Sequence, residues 1–359
     1  GETLGEKIAI FKRTYPNTKL LLSLGKHGAI YAGEETLWHA PILDAPVRGT
    51  VAAGDTFLSS FVVSILAGNG VKNALAVATA DLSQRSMRGV QRFCEEGYAE
   101  LLLLALRQTL AAHKIAVTKE NEIIYISKEC FSNGCAATVD VSYPSIPLFL
   151  IYNPELVRGM MRPIYHYARG DVWPFDFAPH DAGRYPIVDG QRYSEGTNPA
   201  RQMPVEECGN MLLMMAAVGY ADGDWSMVKE DLEIFRMWCQ YLLKYGEDPG
   251  EQLCTDDFAG HLAHNCNLSL KAICGLGAMA KMLGDTGREE EAAYYRAKAE
   301  EMAAAWETDA FDGDHYRLAF DQPGTWSMKY NMVWDKLLGL KLFSQKVYDL
   351  ELAYYKKQL

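Results

Sequence analysis

Met203-Pro204-Val205-Glu206-Glu207-Cys208-Gly209-Asn210 is the stretch from which this chain is read. Proline suits the first position of a helix, where its missing N–H leaves no bond unmade. Glu206 and Glu207 then fall in the first turn, where carboxylates meet the positive end of the helix dipole. The apolar run that follows carries the helix on over 205–221. Adjacent helical positions differ by about 100°, so only one of the two glutamates is expected to face a cavity with Asn210. An acidic first turn serves a helix start as well as it serves chemistry.

Working outward, helices are expected over 98–113, 153–169, 225–245, 264–284, 288–307 and 330–341, the main run setting in after Pro144 and Pro147. Ile123 to Ile126 reads as a strand, in a hairpin with Ile115 to Val117. The loops are alternately long and short. Paired antiparallel helices of that kind suggest a ring of hairpins, an α/α toroid. No fixed-period repeat speaks for a solenoid.

The first 90 residues read differently. Lys19 to Leu24 is a short apolar run, then come Gly25-Lys26-His27-Gly28, Ala29 to Ala32, a turn at Glu34-Glu35, and Thr36 to His39: a strand, a turn and a hairpin. Gly49-Thr50-Val51-Ala52-Ala53-Gly54-Asp55-Thr56-Phe57 opens an apolar helix, and a second helix runs from Val71 to Ser83. Small residues let backbone N–H groups approach an anion at a helix start. An Asp there can take the proton of an attacking hydroxyl in phosphoryl transfer. A plain helix N-cap has the same look.

Composition divides the chain at the same place. Residues 1–90 hold 9 basic and 7 acidic side chains; residues 91–359 hold 26 and 39. All 8 cysteines and 6 of the 7 tryptophans lie beyond residue 90. The acidic second part would repel phosphates, so nucleic acid is not expected as a partner. No apolar run is long enough to span a bilayer, so no membrane is expected either. No signal peptide is visible, which gives a cytoplasmic location by default; the first residue is not Met, so an incomplete N-terminus is allowed for. No CxxC pair occurs, so the cysteines read as reduced, buried thiols.

Acidic groups recur through the second part: Asp140, His180-Asp181, Glu206-Glu207, Asp256-Asp257 and Asp312-Gly313-Asp314. Hydrolysis of an amide or glycoside needs an acid and a base, often two carboxylates of different proton affinity. Glu206 or Glu207 with Asp256 or Asp257 are the candidate pair. Asp140, His180, Asp181, Asn210, His261, Asp335 and Lys336 are candidates for binding or orienting a substrate. Trp326, Tyr330 and Trp334 have rings that suit a sugar face, and suit a core equally. If the segment from Asp257 is helical, Asp257, His261 and His264 share a face with metal-ligand spacing. A hydrogen-bonded helix start explains that spacing better, and no metal is expected.

Phe131 to Cys135, Asp140 to Ser145, Leu150 to Leu156, His180-Asp181, Met203 to Asn210, Leu253 to Asn265, Gly324 to Ser327 and Asp335 to Leu340 together resemble the glutaminase A family. The likeness runs from Tyr98 to the last residue. It implies a six-hairpin (α/α)6 fold and hydrolysis of glutamine to glutamate and ammonia, with no cofactor. The chain would stop short of the ring's last helices, an incomplete toroid. Ser23 to Ala29, Ala40-Pro41 and Thr50 to Phe57 resemble the C-terminal third of PfkB (ribokinase-like) carbohydrate kinases. That likeness implies Asp55 as base, the amides of Ala53, Gly54 and Asp55 as an anion hole, and ATP with Mg in an intact kinase. The sugar-binding strands of such kinases are not in this sequence, so phosphorylation is not expected.

The organisation expected is therefore a small α/β kinase fragment over 1–90, a junction over 91–97, and a mainly α hydrolase part over 98–359 acting on a small molecule. Glycoside hydrolysis on the same scaffold, a kinase remnant and an inactive fusion are the alternatives.

Overall fold

In a computed structural model of the protein, residues 3–14, 20–23, 29–33, 36–40, 96–129, 133–254 and 260–358 are described. They belong to two units, 1–113 and 114–359. In the first, Thr3 and Glu6 cap helix α1 (Leu4–Thr14) reciprocally: the Thr3 amide donates to the Glu6 carboxylate at 2.6 Å and the Glu6 amide to Thr3 Oγ1 at 3.3 Å. Strands β1 (Leu20–Ser23), β2 (Ala29–Ala32) and β3 (Leu37–Ala40) form an antiparallel sheet in the order β1-β2-β3. Leu21 stands opposite Tyr31, and Tyr31 opposite Trp38. The strand–turn–hairpin expectation is met, and α2 (Glu96–Ala111) follows. The helices expected at 56–66 and 71–83 lie outside the described residues.

The second unit is mainly helical. It opens with the paired strands β4 (His113–Val117) and β5 (Ile123–Ser127). Strand β6 (Cys135–Ala136) comes next, then α3 (Val139–Tyr152) and α4 (Pro154–Ala168). A short β7 (Gly183–Arg184) pairs back antiparallel on β6. Then come α5 (Pro204–Asp222), α6 (Ser226–Glu230), α7 (Leu232–Tyr245), α8 (Cys266–Asp285) and α9 (Glu289–Asp309). The unit closes with α10 (Val333–Leu337) and α11 (Gln345–Gln358).

Helices α5 and α8 form the centre. Every residue of α5 from Val205 to Gly219 is buried, and so is α8 from Cys266 to Leu283 apart from Lys281. A helix buried all round needs neighbours on every side. Helix α5 has α3, α4, α7 and α8; α8 has α5, α7, α9, α10 and a 3-10 turn over Tyr330–Met332. Glycine lets the two central helices approach: a Cβ built on Gly275 would lie 3.4 Å from the Gly209 Cα. Buried Arg158 of α4 grips the far end of α5, donating to Asp222 at 2.7 and 2.8 Å and to the Asp224 carbonyl at 3.0 Å. Burial pulls the Asp222 carboxyl upward, but the Arg158 bonds and the Asp224 amide outweigh it and hold the group below its ordinary value. Among the described residues, Cys135, Cys208, Cys239, Cys254, Cys266 and Cys274 are buried and free. No helix among them is long and apolar enough to cross a membrane.

Several elements differ from expectation. Helix α3 starts at Val139 and runs through Pro144 and Pro147 rather than after them. Neither proline donates a helix bond, yet burial of Val139, Ser142, Tyr143, Ile146 and Phe149 holds the helix in the core. The helix expected over 225–245 breaks at Asp231, which is buried and accepts a bond from Arg169. The one expected over 330–341 shrinks to the 3-10 turn and α10, and ends ahead of Gly339 at φ 65°.

Candidate active site

The first turn of α5 is held by a side chain from another segment. Gln252 Oε1 accepts from the amides of Val205 at 3.2 Å and Glu206 at 3.3 Å, two donors that no helical carbonyl can satisfy. That fixes Glu206 and Glu207, both fully buried. Asn210 Nδ2 donates to Glu206 Oε1 and to Glu207 Oε2, each at 3.0 Å. The expectation that only one glutamate would face Asn210 is overturned. Residues three and four positions back are both neighbours on a helix surface, and an amide has two N–H donors.

The glutamates nevertheless differ. Glu206 Oε1 also receives the ammonium of Lys271, a fully buried lysine in the middle of α8. Lys271 Nζ lies 4.2 Å from the centre of the Tyr143 ring and 6.0 Å from that of Tyr330. Tyr143 is tied in turn: its hydroxyl donates to Asn331 Oδ1 at 2.8 Å and accepts from Trp334 Nε1 at 2.6 Å. Glu207 Oε1 is buried without a hydrogen-bond partner among the described residues. Burial first, then the charges of Asp140 and Glu206, push the Glu207 carboxyl well above the ordinary range, against the opposing pull of Asn210 and Lys271.

Asp140 and His180 complete the group. One oxygen each of Asp140 and Glu207 and one ring nitrogen of His180 lie within 4.8 Å of one another. His180 Nε2 is 3.4 Å from Asp140 Oδ1, and its Nδ1 is 3.1 Å from Asp181 Oδ2. Asp181 is fixed by the amides of Gly183 at 3.0 Å, Arg192 at 2.9 Å and Tyr193 at 3.0 Å. The Tyr193 ring stacks on the imidazole at 4.1 Å. Burial alone would lower His180, but the Asp181 bond and the charges of Asp140 and Asp181 outweigh it, so the imidazole holds its proton above the usual value. Burial also raises Asp140, whose side chain keeps 19% exposure. The outcome is a buried carboxyl group beside a partly open one and an oriented imidazole. Asp140, His180 and Glu207 also form a donor set of the kind a divalent cation accepts.

Residues 95–359 match the family described as the glutaminase A six helical-hairpin domain. The chain belongs to the glutaminase A family. Residues 2–83 match the pfkB family of carbohydrate kinases. A protein named glutaminase A from Aspergillus oryzae is 35% identical over 287 residues, covering 79% of this chain and 41% of the relative. A probable glutaminase from Arthroderma benhamiae is 29% identical over 319 residues, covering 72% of this chain and 36% of the relative. The chain thus spans about two-fifths of the length of the curated relatives it matches.

Within the glutaminase A match, the structure brings together six of the residues picked from sequence: Asp140, His180, Asp181, Glu206, Glu207 and Asn210. Tyr330 lies nearby through Lys271. Others hold different contacts. Trp326 is half-exposed against Tyr354 and Tyr355. Trp334 is buried on Tyr143. Asp335 accepts from the Leu342 amide and the Tyr348 hydroxyl, and Lys336 lies over the Tyr348 ring at 3.8 Å. His261 is exposed, and His264 turns its Nδ1 to Asp248 at 2.8 Å. Neither histidine is helical, because α8 starts only at Cys266 behind the Asn265 cap, so the two do not share a helix face. Asp256 and Asp257, and Ala53, Gly54 and Asp55, lie outside the described residues.

Sequence reasoning passed over Lys271, Gln252 and Tyr193. Lys271 had a signal: it is the lone cation in the apolar run from Leu268 to Ala280. Gln252 had none, because its role depends on a contact 46 residues away in sequence.

Proposed function

We propose that the second unit is a glutaminase-like amidohydrolase in a ring of helical hairpins, and that Glu207 is its acid. The observation that supports this most is the Glu207 carboxyl, buried, raised in proton affinity, and beside Asp140 and His180. Amide hydrolysis needs a proton delivered to the departing nitrogen as water adds to the carbonyl. Glu207 donates that proton; the ammonia that leaves takes it. Asp140 and the His180–Asp181 pair orient the substrate, and Asp256 or Asp257 takes the proton from water. Asn210 keeps Glu207 aimed, and no cofactor takes part. The names of the two relatives support the substrate class.

The test is ammonia release from L-glutamine by the parent and by Glu207→Gln. The parent is expected to release ammonia, and the variant to lose about 100-fold or more, the usual share of one acid–base group. A variant that keeps parental activity removes Glu207 from the reaction. A folded parent that releases no ammonia removes glutamine.

A second reading, glycoside hydrolysis, is favoured by the Tyr193 ring stacked on His180 in the same cluster, since an aromatic face suits a sugar ring. Release of reducing sugar without ammonia distinguishes it.

A further inference from the structure

Two buried oxygens of the cluster have no hydrogen-bond donor. Glu207 Oε1 and Asp140 Oδ1 are each shut off from solvent without a hydrogen-bond partner among the described residues. Buried acceptors of that kind are rare, and each asks for an explanation. Asp140 Oδ1 stands 3.4 Å from His180 Nε2. One oxygen of Glu207 lies within 4.8 Å of a ligand atom on both.

The imidazole is set to meet an ion. Asp181 Oδ1 accepts from the amides of Gly183 and Arg192, and its Oδ2 from the Tyr193 amide and His180 Nδ1. A carboxylate engaged at both oxygens is a fixed anchor, and it takes the Nδ1 side of the ring. A histidine fastened to a carboxylate through one nitrogen presents the other to a metal. The backbone is tied as well. The Val139 amide donates to the His180 carbonyl at 2.9 Å, and the His180 amide to Gln191 Oε1 at 2.7 Å. Asn210 holds Glu207 by Oε2, on the far side from its open oxygen Oε1. His180 and Glu207 therefore each have an outer partner that aims them.

Charge points the same way. Asp140, Asp181, Glu206 and Glu207 gather here, and the lysine that reaches them, Lys271, meets Glu206. One nitrogen and two oxygen donors suit a first-row divalent ion, whereas calcium takes about six to eight oxygens. Two ligands each about 2.1 Å from a tetrahedral zinc stand about 3.4 Å apart, as Asp140 Oδ1 and His180 Nε2 do. The 19% exposure of the Asp140 side chain gives an ion its way in. The neighbouring set of Cys135, His180 and Asp181 is the poorer one, because both Asp181 oxygens are already engaged.

We propose that Asp140, His180 and Glu207 form a binding site for one divalent cation of the zinc class. The site does not depend on the reaction assigned above. Its consequence does: a Glu207 that holds an ion cannot deliver a proton to a leaving group, so a bound ion stops ammonia release.

The test is a titration of the full chain, stripped by a chelator, with Co2+ in mildly alkaline buffer, read by visible absorption. Saturation is expected at one ion per chain, with Zn2+ displacing the cobalt. His180→Ala is expected to weaken uptake about 100-fold or more, since loss of an outer partner alone costs about 10–100-fold. Asp140→Asn is a near-isosteric change at the most exposed of the three. It is expected to weaken uptake by at least about 10-fold, and it decides should His180→Ala not fold. No uptake by a folded parent, or full uptake by either folded variant, overturns the proposal. A thiolate-to-cobalt band in the near ultraviolet would put the ion on Cys135 and overturns it too. Ammonia release that falls as the site fills supports the stop. Release that persists in the filled site, or needs the ion, keeps the site and removes Glu207 as the acid, so the two readings fail separately.

Discussion

Glu207 links the fold's stability to pH. Burial and the neighbouring charges of Asp140 and Glu206 raise its folded-state proton affinity above the ordinary carboxyl value of 4.5. For a group shifted that way, stability is complete below the unfolded value and is lost as pH rises through the folded one, because the native state binds more protons than the unfolded state. The loss approaches about 1.4 kcal/mol per pH unit inside that window. Glutamine has nearly the same shape and no proton to lose. Glu207→Gln should therefore melt increasingly above the parent as pH rises above the ordinary carboxyl value. A gap that stays constant across the series would show that Glu207 is not protonated in the native state. The same substitution would gain stability and lose activity, the pattern expected of a functional group placed where the fold does not favour it.

At the scale of elements, the approach of α5 to α8 positions the Glu206–Glu207 turn. Gly209→Ala puts a methyl group against Lys271 Cγ, Cδ and carbonyl oxygen, at 2.5, 3.2 and 3.3 Å from where those atoms stand. Lys271 is fully buried and has no open side to retreat to. Overpacking of this kind costs about 1–3 kcal/mol, to be read as a lower midpoint of thermal or denaturant unfolding. A loss below about 0.5 kcal/mol would mean that the helices slide apart freely. Much of this packing was legible in the sequence. Helices α4, α5, α8 and α9 stand within two residues of expectation, because each has a clear start: Pro154, Pro204, the Asn265 cap and Glu289. Helix α3 was not foreseen, since Pro144 and Pro147 argue locally against it and only tertiary burial keeps it. The cluster was half legible. Carboxylates and Asn210 announce themselves by type and spacing. That Glu206 is paired and Glu207 is not depends on Lys271, 65 residues away.

At the scale of the whole molecule, two family signatures share one chain. The described groups of the carboxylate cluster come from residues 140–271, and the kinase match ends at 83. The charge pattern agrees, since the surplus of acidic groups belongs to the part beyond residue 90. The pfkB resemblance would give Asp55 a part in phosphoryl transfer, not in amide hydrolysis. Asp55→Asn should therefore leave ammonia release within about twofold of the parent, the scatter of a substitution away from a reaction centre. Measured beside Glu207→Gln, it separates the two signatures. Loss in Glu207→Gln alone makes the chain a hydrolase that carries a kinase segment. Loss in both would mean that the kinase segment is needed for the hydrolase fold, and a melt of Asp55→Asn would then show a lowered midpoint as well.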